Sequence, residues 1–310
     1  MGLGAAFTSF KGLLAKSFPD FNEQLGNTFT YLGMTVIRDP ATHSVTLNQR
    51  SYIQAMLQTF GMMDSTPVAS PSTADLLHPK EDTSDPCDKT LYLSIVMSLM
   101  YLARISRPDV LFVVTFLATK SAKPTELNLI AVKRVLRYLK GSINLALRFI
   151  GRSINIVVYA DASHGVHPDG KGQYSTVIHV GGDEVIRTSH KMKCITLSST
   201  ESEIMGAVDA ATYFRWLIRL FQEFHLPVKL PIELKQDNLS AIHMIRNGVN
   251  FRRAKHMLIK GEFVRELEQN GILKMVATKT EDMDADPYTK DYRGRQLVKY
   301  TIKHFVELDD

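Results

Sequence analysis

The second half of the sequence alternates short strand-like runs with amphipathic helices in an order that few folds accommodate. Three β-prone runs, separated by turns such as Gly181-Gly182, predict consecutive antiparallel strands. A long helix, a short strand, two helices, another strand and a final helix follow. The runs are 154–160, 174–180, 184–188, 199–224, 232–235, 239–245, 257–269, 272–278 and from about 284. This β-β-β-α-β-α-α-β-α order predicts an α/β fold with a five-stranded mixed sheet and flanking helices.

The first half predicts a different, mainly helical region. A stretch rich in Pro, Ser, Thr and Asp interrupts it and is expected to cross the surface without regular structure. The predicted elements are a strand at 31–37, helices at 52–60, 91–105 and 125–140, and the linker at 65–89. Because a chain of 310 residues is long enough for two separate cores, we expect two domains, 1–150 and 151–310.

Composition narrows the class of protein. Hydrophobic residues make up 45% and charged residues 22%, an ordinary globular balance. Cys87 and Cys194 lie far apart and without partners at metal-ligand spacing, which argues against a disulfide framework or a zinc site. No charged leader precedes an apolar run at the N-terminus, and the apolar tracts 95–103 and 110–118 are too short to span a bilayer. We therefore expect an intracellular protein of the cytoplasm or nucleus, with no membrane partner.

The net charge of +5 comes mainly from the first half, where 15 Lys and Arg face 11 Asp and Glu. The helix at 125–140 carries Lys133, Arg137 and Lys140 on one face, which is a candidate surface for nucleic-acid phosphates. A merely amphipathic helix is the more common explanation of such a pattern.

Four carboxylates fall at the ends of the predicted elements of the second half. They are Asp161 in VVYADAS, Glu201 at the start of the long helix, Asp237 in ELKQDNLSA and Asp286 in DMDADPYTK. The carboxyl edge of a sheet is a usual place for a site. Clustered carboxylates repel each other unless a cation lies among them, and oxygen ligands suit Mg²⁺ or Mn²⁺. Two such ions could promote in-line attack of water on a phosphodiester.

Each acid also has a simpler explanation. Glu201 could close a capping box with Ser198, and Asp237 could cap the helix that follows it. Asp286 could interact with a helix dipole, and Asp161 could be a turn residue. The combination favours a site, because one topology requires all four positions.

Several motifs resemble those of a known family, the Pol polyproteins of copia-type retrotransposons, over roughly residues 18–292. The blocks similar to its ribonuclease H domain are YADAS, LSSTESEIMGA, QDNLSAI, AKHMLIKGEFVRE and ADPYTK. The blocks similar to the end of its reverse transcriptase and the connection are FTYLGMTVIRD, LNQRSYIQAMLQTFGM, YLSIVMSLMYLARISRPDVLF and VLRYLKGS.

The resemblance implies a ribonuclease H-like fold for 151–310 and endonucleolytic, metal-dependent cleavage of RNA in RNA–DNA hybrids. It implies that two Mg²⁺ ions, with Mn²⁺ as a substitute, bind Asp161, Glu201, Asp237 and Asp286. We choose Glu201 over Glu203, because the Thr-Glu pair matches the family block and Glu203 lies about 200° further round the helix. The implied partners are the hybrid and the upstream polymerase part of the same polyprotein.

The sequence departs from the family in the first half. The polymerase of the family depends on a Y-x-D-D motif, and the only adjacent aspartates of this chain are Asp309 and Asp310. Residues 1–150 thus resemble a thumb or connection remnant without the catalytic palm, and we expect no polymerisation. The loop TKTEDMDAD also lacks the His of cellular ribonucleases H.

Two alternatives stay open. One is an inactive nucleic-acid-binding remnant of a decayed element. The other is an integrase-like transposase, whose acid order of Asp, Asp, Glu differs from the order Asp, Glu, Asp, Asp of this sequence.

Overall fold

The computed structural model describes residues 2–18, 26–77, 82–248 and 255–308. Within them the helices are α1 (Gly2–Ser17), α2 (Arg50–Thr59), α3 (Ala74–Leu77), α4 (Lys89–Ile105), α5 (Leu111–Ala118), α6 (Glu126–Gly141), α7 (Ser199–Glu223), α8 (Leu239–Asn247), α9 (Lys255–Gln269) and α10 (Gly294–His304). The strands are β1 (Thr28–Tyr31), β2 (Met34–Asp39), β3 (Ser44–Asn48), β4 (Leu145–Phe149), β5 (Ile156–Ser163), β6 (Gln173–Val180), β7 (Asp183–Arg187), β8 (His190–Lys191), β9 (Ile232–Gln236), β10 (Leu273–Ala277) and β11 (Phe305–Glu307).

Two helices of the first half, α4 and α6, begin at side-chain N-terminal caps. The Asp88 carboxylate accepts hydrogen bonds from the main-chain N–H of Thr90 and Leu91 at the start of α4. Thr125 and Asn128 form a reciprocal capping box at the start of α6. Such caps satisfy the N–H groups that have no partner within the helix. The helices predicted at 91–105 and 125–140 agree with α4 and α6 to within two residues.

An antiparallel sheet that was not predicted covers one side of these helices. Its strand order is β1-β2-β3-β4-β11, so its last strand comes from the C-terminal end of the chain. Phe305 in β11 pairs with Leu147 in β4. The predicted division into 1–150 and 151–310 therefore separates two strands that hydrogen-bond to each other.

The second sheet has the strand order β10-β9-β5-β6-β7, with β8 pairing to β6 beyond the end of β7. The strands β5, β6 and β7 are antiparallel, whereas β9 lies parallel to both β5 and β10. The predicted five-stranded mixed sheet with flanking helices is thus confirmed, and β8 extends its edge.

Helices α7, α8 and α9 cover one face of this sheet, and the first half of the chain covers the other. Val158, Ala160 and Ile178 pack under α7 in one core. Tyr159 and Val177, which point to the opposite face, belong to the core built from α4, α5 and α6. The central strands are therefore buried on both faces, as parallel-containing sheets usually are.

The C-terminal segment differs from its prediction. A helix was expected from about residue 284, but Thr280–Asp282 and Asp286–Tyr288 form short 3-10 turns and α10 begins only at Gly294. Pro287 fits the first turn of a helix because its missing N–H would have no partner there. Within the described residues, no helix combines the length and apolar character needed to cross a membrane.

Candidate metal centre

Asp161 and Asp237 lie side by side at the carboxyl ends of two parallel strands. Tyr159 in β5 is the Cα partner of Lys235 in β9, and each acid comes two residues later. Because side chains alternate along a strand, Asp161 points to the same face as Tyr159, and Asp237 directly follows the end of β9. Asp161 is 1% exposed. Asp161 lies within β5 rather than after the end of the predicted strand at 154–160.

Glu203, rather than Glu201, completes a cluster of close carboxylates. One ligand oxygen from each of Asp161, Glu203 and Asp237 lies within 4.8 Å of the other two. Glu203 is 5% exposed, and its Oε2 atom is buried without a hydrogen-bond partner among the described residues.

Glu201 instead closes the start of α7, so the structure corrects the choice between the two glutamates. Its Oε2 atom accepts a hydrogen bond of 2.8 Å from the main-chain N–H of Leu197. Its own N–H donates to Ser198 Oγ at 3.2 Å. Glu201 thus has a capping role like the one that the S-x-x-E pattern left open, with the N–H of Leu197 as donor in place of the Ser198 N–H of a capping box.

Asp286 reaches the site from the 3-10 turn that it begins. It is 8% exposed and its Oδ1 atom lies 2.6 Å from Lys290 Nζ. Thr289 Oγ1 donates a hydrogen bond to Asp161 Oδ2, and Ser175 Oγ donates to the main-chain oxygen of Ala285 at 2.8 Å. The turn is therefore fixed to both β5 and β6. Asp286 is not part of the group within 4.8 Å, but it contributes to the raised pKa of Asp161.

Burial and mutual repulsion raise the pKa values of the carboxylates in this cluster. Burial, opposed by Lys290 and reinforced by Asp286, raises the pKa of Asp161 to about 6. Burial, together with Asp161 and Asp237, raises the pKa of Glu203 to about 9. Both shifts disfavour the charged form, and a cation among the carboxylates would reverse them. Donors that are all carboxylate oxygens fit Mg²⁺ or Mn²⁺, and the unpartnered Glu203 oxygen points to such a ligand.

The predicted phosphate-contacting residues of α6 are partly engaged elsewhere. Arg137 Nε donates to the main-chain oxygen of Thr66 at 2.6 Å. Lys140 Nζ donates to the main-chain oxygen of Met63, and also to that of Ser65 at 2.7 Å. Both side chains thus hold the segment after α2 against α6. For Lys133, nucleic-acid contact stays a prediction.

Fold and carboxylates together define a ribonuclease H-like α/β protein. No protein-family model matches the chain. It is 30% identical over 287 residues to the retrovirus-related Pol polyprotein from transposon TNT 1-94 of Nicotiana tabacum, a match that covers 90% of this chain. It is 32% identical over 263 residues to the Pol polyprotein from transposon RE1 of Arabidopsis thaliana, covering 84% of this chain. The relatives that are 30–32% identical over most of this chain are Pol polyproteins of copia-type retrotransposons.

The match involves only part of each relative. The chain spans 21% of the length of the tobacco polyprotein and 18% of the Arabidopsis one. Among solved structures, the chain is similar to LC11-RNase H1 in complex with an RNA/DNA hybrid, at 15% identity and a TM-score of 0.34. That similarity covers 43% of this chain and 93% of the solved chain.

Proposed function

We propose that the chain is a retrotransposon ribonuclease H that hydrolyses RNA within RNA–DNA hybrids, using two Mg²⁺ ions or Mn²⁺ in their place. The observation that carries this proposal is the close group of Asp161, Glu203 and Asp237, of which the first two are buried, with Asp286 beside it. Similarity to the Pol polyproteins supports it, because the motifs around these acids resemble the ribonuclease H blocks of that family.

The side chains around the carboxylates hold them in place for this task. Thr289 orients Asp161, and Thr280 Oγ1 donates to Asp237 Oδ2 at 2.8 Å. Asp161, Glu203, Asp237 and Asp286 would hold the ions. When bound, such ions supply activation of a water and stabilisation of the leaving 3′-oxygen. No nucleophilic side chain is needed, and none of the four acids has to act as one.

The substrate would be recognised through its shape. A hybrid duplex resembles the A-form, which proteins contact through phosphates and 2′-hydroxyls rather than base edges. We therefore expect little sequence preference. Lys133, with Arg137 and Lys140, is retained as a proposed phosphate contact, although the main-chain bonds of the last two argue for a structural role.

The upstream polymerase part of a Pol polyprotein is a proposed partner. The chain spans about a fifth of its relatives and contains no Y-x-D-D motif. Polymerisation is therefore not expected from this chain alone, and assembly with a polymerase region would supply it.

The test uses the purified full chain with labelled hybrid, single-stranded RNA and duplex DNA. We expect loss of the RNA strand of the hybrid alone, dependent on Mg²⁺ or Mn²⁺. Asp161→Asn removes a ligand charge with little change in shape, and it should abolish cutting while the chain stays folded by circular dichroism.

An intact hybrid at every metal concentration, with the chain folded and bound to it, would favour the inactive binding remnant instead. Retained cutting by Asp161→Asn would refute the role of that residue.

A further inference from the structure

Two lysines form ion pairs with a single aspartate beside the second sheet, which carries the carboxylates, and a third lysine lies near them. Lys191 Nζ lies 2.8 Å and Lys171 Nζ 3.6 Å from Asp169 Oδ2. Lys120, at the end of α5, lies close enough to Lys191 that the repulsion, after burial, lowers its pKa, with only Asp82 and Asp169 opposing. We call Lys120, Lys171 and Lys191 the lysine cluster. Its positive charge exceeds that of its acidic neighbours, so a further anion would stabilise it.

Lys191, which belongs to the lysine cluster, lies on the same sheet face as Asp161. Lys191 is the Cα partner of Gln173, and Asp161 is the Cα partner of Ser175, two residues further along β6. Partners in a ladder point to the same face, and so do residues two apart. Two strand spacings and two residues separate Lys191 from Asp161, which places their Cα atoms roughly 12 Å apart. A nucleic-acid strand bound at the carboxylates would reach the cluster within a few nucleotides.

The first half of the chain supplies Lys120 through a rigid contact. The His167 ring stacks on Phe116 of α5, with centroids 4.9 Å apart and planes 14° from parallel. His167 Nε2 also lies 2.8 Å from Gln173 Oε1. Lys120 Nζ lies 5.5 Å from the centroid of the same Phe116 ring. The position of Lys120 relative to β6 is therefore fixed by packing rather than by a flexible loop.

We propose that the lysine cluster binds the phosphate backbone of the nucleic acid that the carboxylates cut, so that the first half of the chain extends the substrate-binding surface through Lys120. This inference rests on the proposed function for the identity of the nucleic acid. Lysine binds phosphate as a point charge, so the contact adds affinity without sequence preference.

The experiment measures the salt dependence of hybrid binding. The full chain carries Asp161→Asn to prevent cutting, and the anisotropy of a fluorescent RNA–DNA hybrid is followed from ~50 to ~200 mM salt. Lys120→Gln and Lys191→Gln should each weaken binding about threefold to tenfold and reduce the slope of log affinity against log salt by about one. Arg at either position should restore the slope.

Lys274→Gln is the matched control, because Lys274 is an exposed lysine on β10, at the opposite edge of the same sheet. It should leave the slope unchanged. A lowered melting temperature with an unchanged slope for Lys120→Gln and Lys191→Gln would show a purely structural ion cluster and overturn the proposal.

Cutting by the chain without Asp161→Asn is measured in parallel. If the lysine variants keep the salt slope of the parent chain while the chain without Asp161→Asn cuts the hybrid, the role of the lysine cluster is refuted and the nuclease function stands. If the lysine variants change the salt slope but no cutting occurs, the role of the cluster is supported and the nuclease function is refuted.

Discussion

Lys290 Nζ lies 2.6 Å from Asp286 Oδ1. The two residues are four positions apart, so the same short segment contains an acid of the site and the lysine that neutralises its charge. The intervening Thr289 donates its hydroxyl to Asp161. Lys290 also lowers the pKa of Asp161, against the effect of burial. A metal ion entering this site would compete with the lysine for the same oxygens.

Lys290→Met should weaken the metal-free protein and strengthen metal binding. Removing the ammonium leaves Asp286 repelled by Asp161 and Asp237, at a cost of up to about 1 kcal/mol because Lys290 is partly exposed. The same loss removes the competitor, so the Kd for Mg²⁺ should fall severalfold. Thermal unfolding with EDTA and isothermal titration with Mg²⁺ measure the two effects. Lys279→Met, at an exposed lysine beside Glu281, serves as the control, and equal Kd values for both variants would contradict the competition.

Glu203→Gln and Glu201→Gln should separate the two glutamates of the TESE motif. Glu203 faces Asp161 and Asp237, so its loss should lower the rate of hybrid cutting by at least about 100-fold, since changes to groups that merely support metal ligands already cost 10- to 100-fold. Glu201 bonds only the start of α7 among the described contacts, so its variant should lose at most about 1 kcal/mol of stability and keep its rate. Steady-state cutting of a labelled hybrid checks both. The reverse order of rates would restore the choice made from the sequence.

The sequence predicted α7 as an amphipathic helix, and large apolar residues such as Ile204 and Phe214 are fully buried against the second sheet. It did not reveal that α7 also approaches β5 closely at Gly206, where an added Cβ would lie 3.3 Å from the main-chain oxygen of Asp161. Glu203 lies one turn before Gly206 and shares its face. Small residues mark a close contact between backbones, and a scale of hydrophobicity does not register them.

The return of the C-terminus to the first sheet could not be predicted from local patterns. Strand β11 has three residues and β1 has four, and their exposure does not alternate clearly. Pairing between Phe305 and Leu147 joins positions that are far apart in the sequence. Local propensity carries no information on such a contact, because packing against neighbouring strands decides whether a short run becomes a strand.

The stability of the metal-free protein should fall as the pH rises from about 6.5 to 9. The folded-state pKa of Glu203 is raised to about 9, so the folded chain retains a proton that the unfolded chain has lost. That contribution is present at low pH and disappears as the pH rises through 9, a loss of about 3 kcal/mol between pH 6.5 and 9. Urea unfolding in EDTA across this range is the measurement. Glu203→Gln should flatten the decline, and a decline that persists unchanged in this variant would assign it to another group.

Below this range a second group of residues acts in the opposite direction. Burial lowers the pKa of His304 to about 4 and also lowers that of His179. Protonation of these imidazoles therefore favours the unfolded chain as the pH falls below about 6.5. Between about pH 4.5 and 6.5 this effect opposes the loss of stability that comes from the raised pKa values of Glu203 and Asp161.

Phe305→Ala should destabilise both halves of the chain together. Phe305 is buried in the core that contains α4 to α6, pairs in β11 with β4, and packs near the Arg107 guanidinium. Truncating a buried Phe costs about 3–5 kcal/mol. Trp216, the single tryptophan of the chain, lies in α7 over the second sheet and is 55% exposed. Its fluorescence therefore reports unfolding around the second sheet, whereas Phe305 pairs in the first sheet.

We expect the urea midpoint from Trp216 fluorescence to shift as much as the midpoint from circular dichroism, because the core of the first half includes Tyr159 and Val177 of the second sheet. Ile302→Ala is the control, since Ile302 lies in α10 directly before β11 and is 74% exposed. By either signal, that variant should change the free energy of unfolding by no more than about 0.5 kcal/mol. If Phe305→Ala moved the circular dichroism transition and left the Trp216 transition in place, the two halves would unfold independently. The shared sheet and core would then not couple Lys120 to the carboxylate site.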